Sequence, residues 1–78
     1  MFQQYLSRFE FVEEEADKAV TLGFCNYLEG FTHGVLSVIP EWGISCEELK
    51  QLFNAKEDAL CAIANAKKRI KQEHELNL

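Results

Sequence analysis

The sequence predicts a small all-α protein, either a helical hairpin or a three-helix bundle completed by homodimerisation. Apolar residues recur at intervals of three and four along most of the chain, which is the period of an amphipathic helix. Ser-x-x-Glu capping boxes precede two of these runs, and no strand-like alternation of useful length interrupts them. The 78 residues are enough for a single domain spanning 1–78.

The clearest boundary is the segment 39–45, with the sequence IPEWGIS. Pro40 disfavours helical geometry at the residue before it, so one helix is expected to end near Ile39. Ser45 and Glu48 form a capping box in front of an apolar-periodic run. A second helix is therefore expected to begin at Cys46.

This C-terminal helix is predicted to span about 46–73, with a frayed tail after it. Its apolar stripe has spacings of three and four: Leu49, Leu52, Lys56, Ala59, Ile63, Ala66 and Ile70. No Gly or Pro lies between Cys46 and Leu78, so nothing in the sequence breaks the helix.

The N-terminal half is predicted to be helical over about 5–39, and two interpretations of it stay open. Ser7 and Glu10 form a second capping box near its start. Gly23 lies in the middle of this segment and disfavours helix. Either one bent helix covers the segment, or Gly23 separates helices at about 5–21 and 24–39.

The segment before Pro40 is apolar around most of its circumference. Its polar strip is narrow and consists of Asn26, Glu29, His33 and Ser37. A helix with apolar residues on several sides must be covered on more than one side, which one long partner helix cannot achieve. The pattern therefore predicts a homodimer, with an interface at Phe24, Tyr27, Phe31 and Val35.

The chain carries a net charge of −5, which disfavours general binding to nucleic acid because phosphates repel it. Its densest charge cluster is the acidic run 13–17. An acidic surface of this kind steers basic partners through long-range attraction. The sequence thus predicts contact with a protein partner, either basic or itself nucleic-acid-binding, through Glu13, Glu14 and Asp17. Trp42 is a candidate aromatic anchor for the same partner.

Two rival functions use other side chains. The basic cluster Lys67, Lys68, Arg69 and Lys71 would serve a nucleic-acid-associated regulator, although no helix-turn-helix signature or stacking aromatics accompany it. The residues Cys25, Glu29 and His33 share a helical face at spacings of four and would be the centre of a metal-binding helical protein.

The sequence contains no phosphate loop or nucleophile elbow, so we predict no catalytic residues and no cofactor. Three cysteines without paired spacing are interpreted as buried, reduced side chains. Reduced cysteines predict a cytoplasmic protein. The sequence also has no continuous apolar span and no secretion signal, so we predict that the protein does not enter membranes.

In size, acidity and lack of enzyme motifs the chain resembles small phage and mobile-element accessory proteins that inhibit host machinery. This resemblance is compositional and no motif carries it. It favours a non-enzymatic, stoichiometric protein-binding regulator or inhibitor as the function.

Overall fold

The computed structural model describes residues 2–37 and 44–76 and consists of three α-helices. They are α1 (Phe2–Lys18), α2 (Leu22–Ser37) and α3 (Cys46–Leu76). This confirms the predicted all-α class. Each helix packs against the other two, in an elongated bundle with principal dimensions of 52 × 17 × 13 Å. Within the described residues, no helix has both the length and the apolar character that crossing a bilayer requires.

Helix α1 buries one stripe, formed by Tyr5, Phe9, Val12 and Ala16. These residues are spaced four, three and four apart, so they lie on one side of the helix. The capping box expected at Ser7 and Glu10 was wrong. The helix begins at Phe2, and Ser7 lies inside it on the exposed surface.

The N-terminal half forms two helices, and the break between them lies at residues 19–21 instead of at Gly23. The Thr21 hydroxyl accepts a hydrogen bond from the Phe24 backbone N–H at 3.1 Å. Thr21 is thus the N-cap of α2, because a side-chain oxygen there satisfies an amide that the first turn leaves free. Gly23 lies within the first turn of α2, where it is tolerated.

Helix α3 begins where the capping box predicts. The Glu48 amide donates to Ser45 Oγ, and the Ser45 amide donates to Glu48 Oε1, each at 3.1 Å. The helix extends to Leu76, slightly beyond the expected end near residue 73. At 1.5 Å per residue it is roughly 46 Å long, which is nearly twice the length of either other helix.

The core lies between the three helices. Helix α3 contributes Leu52, Ala59, Ile63 and Ala66, which are fully buried or nearly so. Helix α2 contributes Cys25, Leu28, Thr32 and Val35. The buried Thr32 hydroxyl donates to the Leu28 carbonyl at 2.7 Å. Because the hydroxyl is hydrogen-bonded, its burial costs little folding free energy.

The C-terminus of α1 is capped by a side chain from α3. Arg69 donates from Nη2 to the backbone carbonyls of Ala16, at 3.3 Å, and Ala19, at 2.6 Å. The Ala16 carbonyl also accepts from the Ala19 backbone N–H at 3.2 Å, and Ala19 follows the last residue of α1. The negative end of the helix dipole favours a cation there. Arg69 thereby fixes the end of α1 onto α3.

We expect Arg69→Met to lower the free energy of unfolding by about 1–3 kcal/mol, because it removes charge-assisted hydrogen bonds to two carbonyls. Urea denaturation followed by circular dichroism measures this change. The control is Lys71→Met, which removes a cation from the exposed surface of the same helix and should change stability by less than about 0.5 kcal/mol. Equal effects of the two substitutions would contradict the capping role.

Candidate interaction surfaces

Two helices contribute to one cluster of carboxylates. The pKa of Glu13 is raised by partial burial, then by repulsion from Asp58 on α3 and from Glu10 and Asp17 on its own helix. Glu10, Glu13 and Asp17 are spaced three and four apart, which places them on one side of α1. We call Glu10, Glu13, Asp17 and Asp58 the acidic surface.

The acidic surface overlaps the predicted partner-binding set only in part. Glu13 is partly buried, whereas Glu14 and Asp17 are exposed, and Glu14 is not among the residues that perturb Glu13. The sequence prediction missed Glu10, although its helical spacing to Glu13 could have indicated it. No sequence signal pointed to Asp58, since it is brought to the cluster by the packing of α3. Trp42 lies outside the described residues.

Aromatic side chains form a second surface along α1 and α2. The rings of Phe24 and Tyr27 stack with centroids 6.0 Å apart and planes at 18°. Phe31 makes an edge-to-face contact with Phe11 of α1 at 6.1 Å and 67°. Tyr27 remains 61% exposed and Phe11 46% exposed. We call Phe11, Phe24, Tyr27 and Phe31 the aromatic face.

The residues predicted for a dimer interface do not share one environment. Tyr27 is exposed, while Phe24 and Phe31 are partly buried. Val35 is only 4% exposed and belongs to the core of the single chain, so it has almost no surface to offer a second copy. The core-facing side of α2 is the Cys25–Leu28–Thr32–Val35 stripe, and the aromatic residues flank that stripe.

The basic cluster of α3 is partly engaged within the molecule. Lys67 forms a salt bridge with Glu29 of α2 at 2.6 Å, and Arg69 caps α1. The Lys67 hydrogen bond and charge lower the pKa of Glu29. Lys68 and Lys71 are exposed. The four cations therefore do not present a single surface to a phosphate backbone.

The candidate metal ligands also point to different surroundings. Cys25 is fully buried in the core, Glu29 pairs with Lys67, and His33 is exposed. Among the residues that the structure describes, no group of three His, Cys, Asp or Glu side chains is arranged to hold a metal ion. The expectation that all three cysteines are buried was wrong, because Cys46 and Cys61 are exposed.

Comparisons of this chain with protein-family models, with characterised proteins and with solved structures gave no match. The acidic surface and the aromatic face are therefore the features of the molecule that bear on its function.

We expect Glu13→Gln to stabilise the protein at neutral pH. A carboxyl whose pKa is raised by folding destabilises the native state when it is ionised, so its contribution becomes less favourable as pH rises through the folded-state pKa. Removing the charge should raise the unfolding free energy by at most about 0.5 kcal/mol, the usual range for surface changes. The midpoint of thermal unfolding should then rise by no more than roughly 2–4 °C.

This advantage should disappear as pH falls below the ordinary range of a carboxyl group, about 4, since Glu13 is then protonated in both states. The control is Glu14→Gln, which removes a charge from the same helix but not from the acidic surface. Stabilisation by Glu13→Gln that persists unchanged at acid pH would show that charge repulsion is not its cause.

Proposed function

We propose that this protein is a non-enzymatic regulator or inhibitor that acts by stoichiometric binding. Its acidic surface contacts a basic protein partner. Proteins that bind nucleic acid are one class of such basic partners. The observation that carries the proposal is the grouping of carboxylates from two helices, in which Glu13 is partly buried and Glu10, Asp17 and Asp58 lie around it. Burial is the main cause of the raised pKa of Glu13, and repulsion from these neighbours adds to it. A cationic partner would relieve this repulsion on binding.

The acidic surface also suits recognition on physical grounds. It combines residues of α1 with Asp58 of α3, so its geometry is fixed by the packing of two helices. A chain with a net charge of −5 attracts cationic partners over long range, which raises the association rate more than it raises affinity. Complexes formed in this way weaken as salt screens the charges.

We also propose that the protein forms a homodimer through the aromatic face. Full burial of an aromatic side chain removes about 150–250 Å² from water. The exposed fractions of Tyr27 and Phe11 therefore leave roughly 200 Å² of apolar surface on each copy. A symmetric pair would cover both patches, and the adjoining helix surfaces would extend the contact toward the 1,200 Å² or so of a small specific interface.

The two rival functions have less support. A nucleic-acid-associated regulator would need Lys67 and Arg69, which are engaged with Glu29 and with the end of α1. A metal-binding protein would need Cys25 and Glu29, which face the core and a lysine respectively. A cytoplasmic location remains a prediction, to which three free cysteines are suited.

We expect the double substitution Glu13→Gln with Asp17→Asn to weaken partner binding at least tenfold. Tagged wild-type and variant proteins would be used to capture partners from the native host, followed by quantitative mass spectrometry and then titration against the captured protein. Binding of the wild type should fall as salt rises from about 50 to 300 mM, because the interaction is electrostatic. The variant should show a flatter salt dependence.

The matched control is Glu57→Gln with Glu73→Gln, which changes the net charge by the same amount at two exposed positions of α3. If both pairs reduce binding equally, net charge alone governs it and the acidic surface is not the site. If a captured partner binds both variants as tightly as the wild type, the proposed surface is wrong.

We expect sedimentation equilibrium to show a reversible monomer–dimer equilibrium, with dimer increasing between about 1 µM and 1 mM protein. The small apolar patch indicates modest affinity, because association must first offset the lost rotational and translational freedom. A purely monomeric protein at the top of this range would overturn the homodimer.

A further inference from the structure

We propose that α2 pairs directly with α2 of a second copy, with Tyr27 of each copy seated over the glycine positions of the other. This inference deepens the homodimer proposed above and rests on it. It assigns the contact to one side of α2, where the aromatic face adjoins Gly23, Gly30 and Gly34. Such an interface is isologous, since the same surface meets itself across a two-fold axis.

The shape of this side of α2 is self-complementary. Gly23, Gly30 and Gly34 are displaced from Tyr27 by minus four, three and seven residues, so all four residues lie on one side of the helix. A Cβ atom built at any of these glycines would meet nothing within 4 Å. The glycines therefore form open depressions around a side chain that is 61% exposed.

Helices in close contact insert a side chain of one helix into a hole between four residues of the other, spaced i, i+3, i+4 and i+7. On α2 one such hole is bordered by Tyr27, Gly30, Phe31 and Gly34. Because two of its four positions are glycine, it is deep enough for a large ring and lets the two backbones approach. The same helix supplies the ring that fills it.

The three glycines have no role in the packing of the described residues against one another. Glycine inside a helix is less favourable than alanine because it gains more backbone freedom on unfolding. Since the space above all three glycines is open, no neighbouring element of the described chain requires a small residue there. Close approach of a second backbone would give them a structural role.

The charge distribution favours a second copy over a charged partner on this side. The carboxylate of Glu29 is paired with Lys67, and α2 contains no other acidic residue and no Lys or Arg. Two chains of net charge −5 repel each other least where neither presents free carboxylates. The acidic surface belongs to α1 and α3, so it stays available in the dimer.

The first test is Gly30→Gln with Gly34→Gln, measured by sedimentation equilibrium across the monomer–dimer range. Gln favours helix more than Gly does and enters open space, so the monomer should keep its helical circular dichroism and be at least as thermally stable at dilute concentration. The dissociation constant of the dimer should rise at least tenfold, because the added side chains hold the two backbones apart. The matched control is Ser7→Gln with Ala64→Gln, at exposed helical positions of α1 and α3, which should leave dimerisation unchanged.

The second test compares two exposed aromatic residues. Tyr27→Gln should weaken the dimer at least tenfold, whereas Phe53→Gln on α3, where the ring is 49% exposed, should not. Equal weakening by both would show non-specific association of apolar surface and would overturn the assignment.

The possible outcomes distinguish the α2 pairing from the homodimer on which it rests. A wild-type protein that is monomeric throughout removes the homodimer and the α2 pairing together. A wild-type dimer that persists in both the double glycine variant and the Tyr27 variant keeps the homodimer but overturns the α2 pairing. Neither result affects the acidic surface, which is tested by partner binding.

Discussion

Each helix in a three-helix bundle packs against two neighbours and leaves one side exposed to solvent. The structure depends on this constraint, because apolar side chains must lie on the sides that the neighbours cover. Helix α3 satisfies it with one buried stripe that packs against both shorter helices and consists of Leu52, Ala59, Ile63 and Ala66. Two alanines in that stripe allow close packing, because they occupy little volume between helix axes. Helix α1 satisfies the same constraint with a single buried stripe, and its outer side is polar apart from the exposed Phe11.

Helix α2 satisfies the constraint less completely. Its core stripe is buried, yet apolar residues continue around the helix onto the side that the bundle leaves open. Tyr27 is exposed there, and the glycines beside it face open space. Sparse charge on this helix and abundant charge on the others give the molecule two different surfaces. We propose a copy of the chain as the partner of the first surface and a cationic protein as the partner of the second.

Some charged side chains join the helices to one another, and others remain exposed on the surface. Arg69 joins the end of α1 to α3, and Lys67 joins α2 to α3 through Glu29. Both cations belong to a cluster that suggests nucleic-acid contact when it is considered as sequence alone. Their engagement within the bundle leaves Lys68 and Lys71 exposed. Asp58 of α3 completes a group of carboxylates for which α1 supplies the rest.

The sequence by itself determined the helical class, the start of α3 at its capping box, and the buried stripe of α3, because these follow from local hydrogen bonding and from periodicity. It did not locate the break at Thr21, where a capping hydroxyl decided the boundary and the glycine two residues later did not. Only the tertiary structure decided which side of α2 faces the core, which cations are paired, and that Asp58 joins Glu13. A helix that is apolar on several sides gives no local signal of which side its neighbours cover. The repulsion between Glu13 and Asp58, which are 45 positions apart, exists only once the helices have packed.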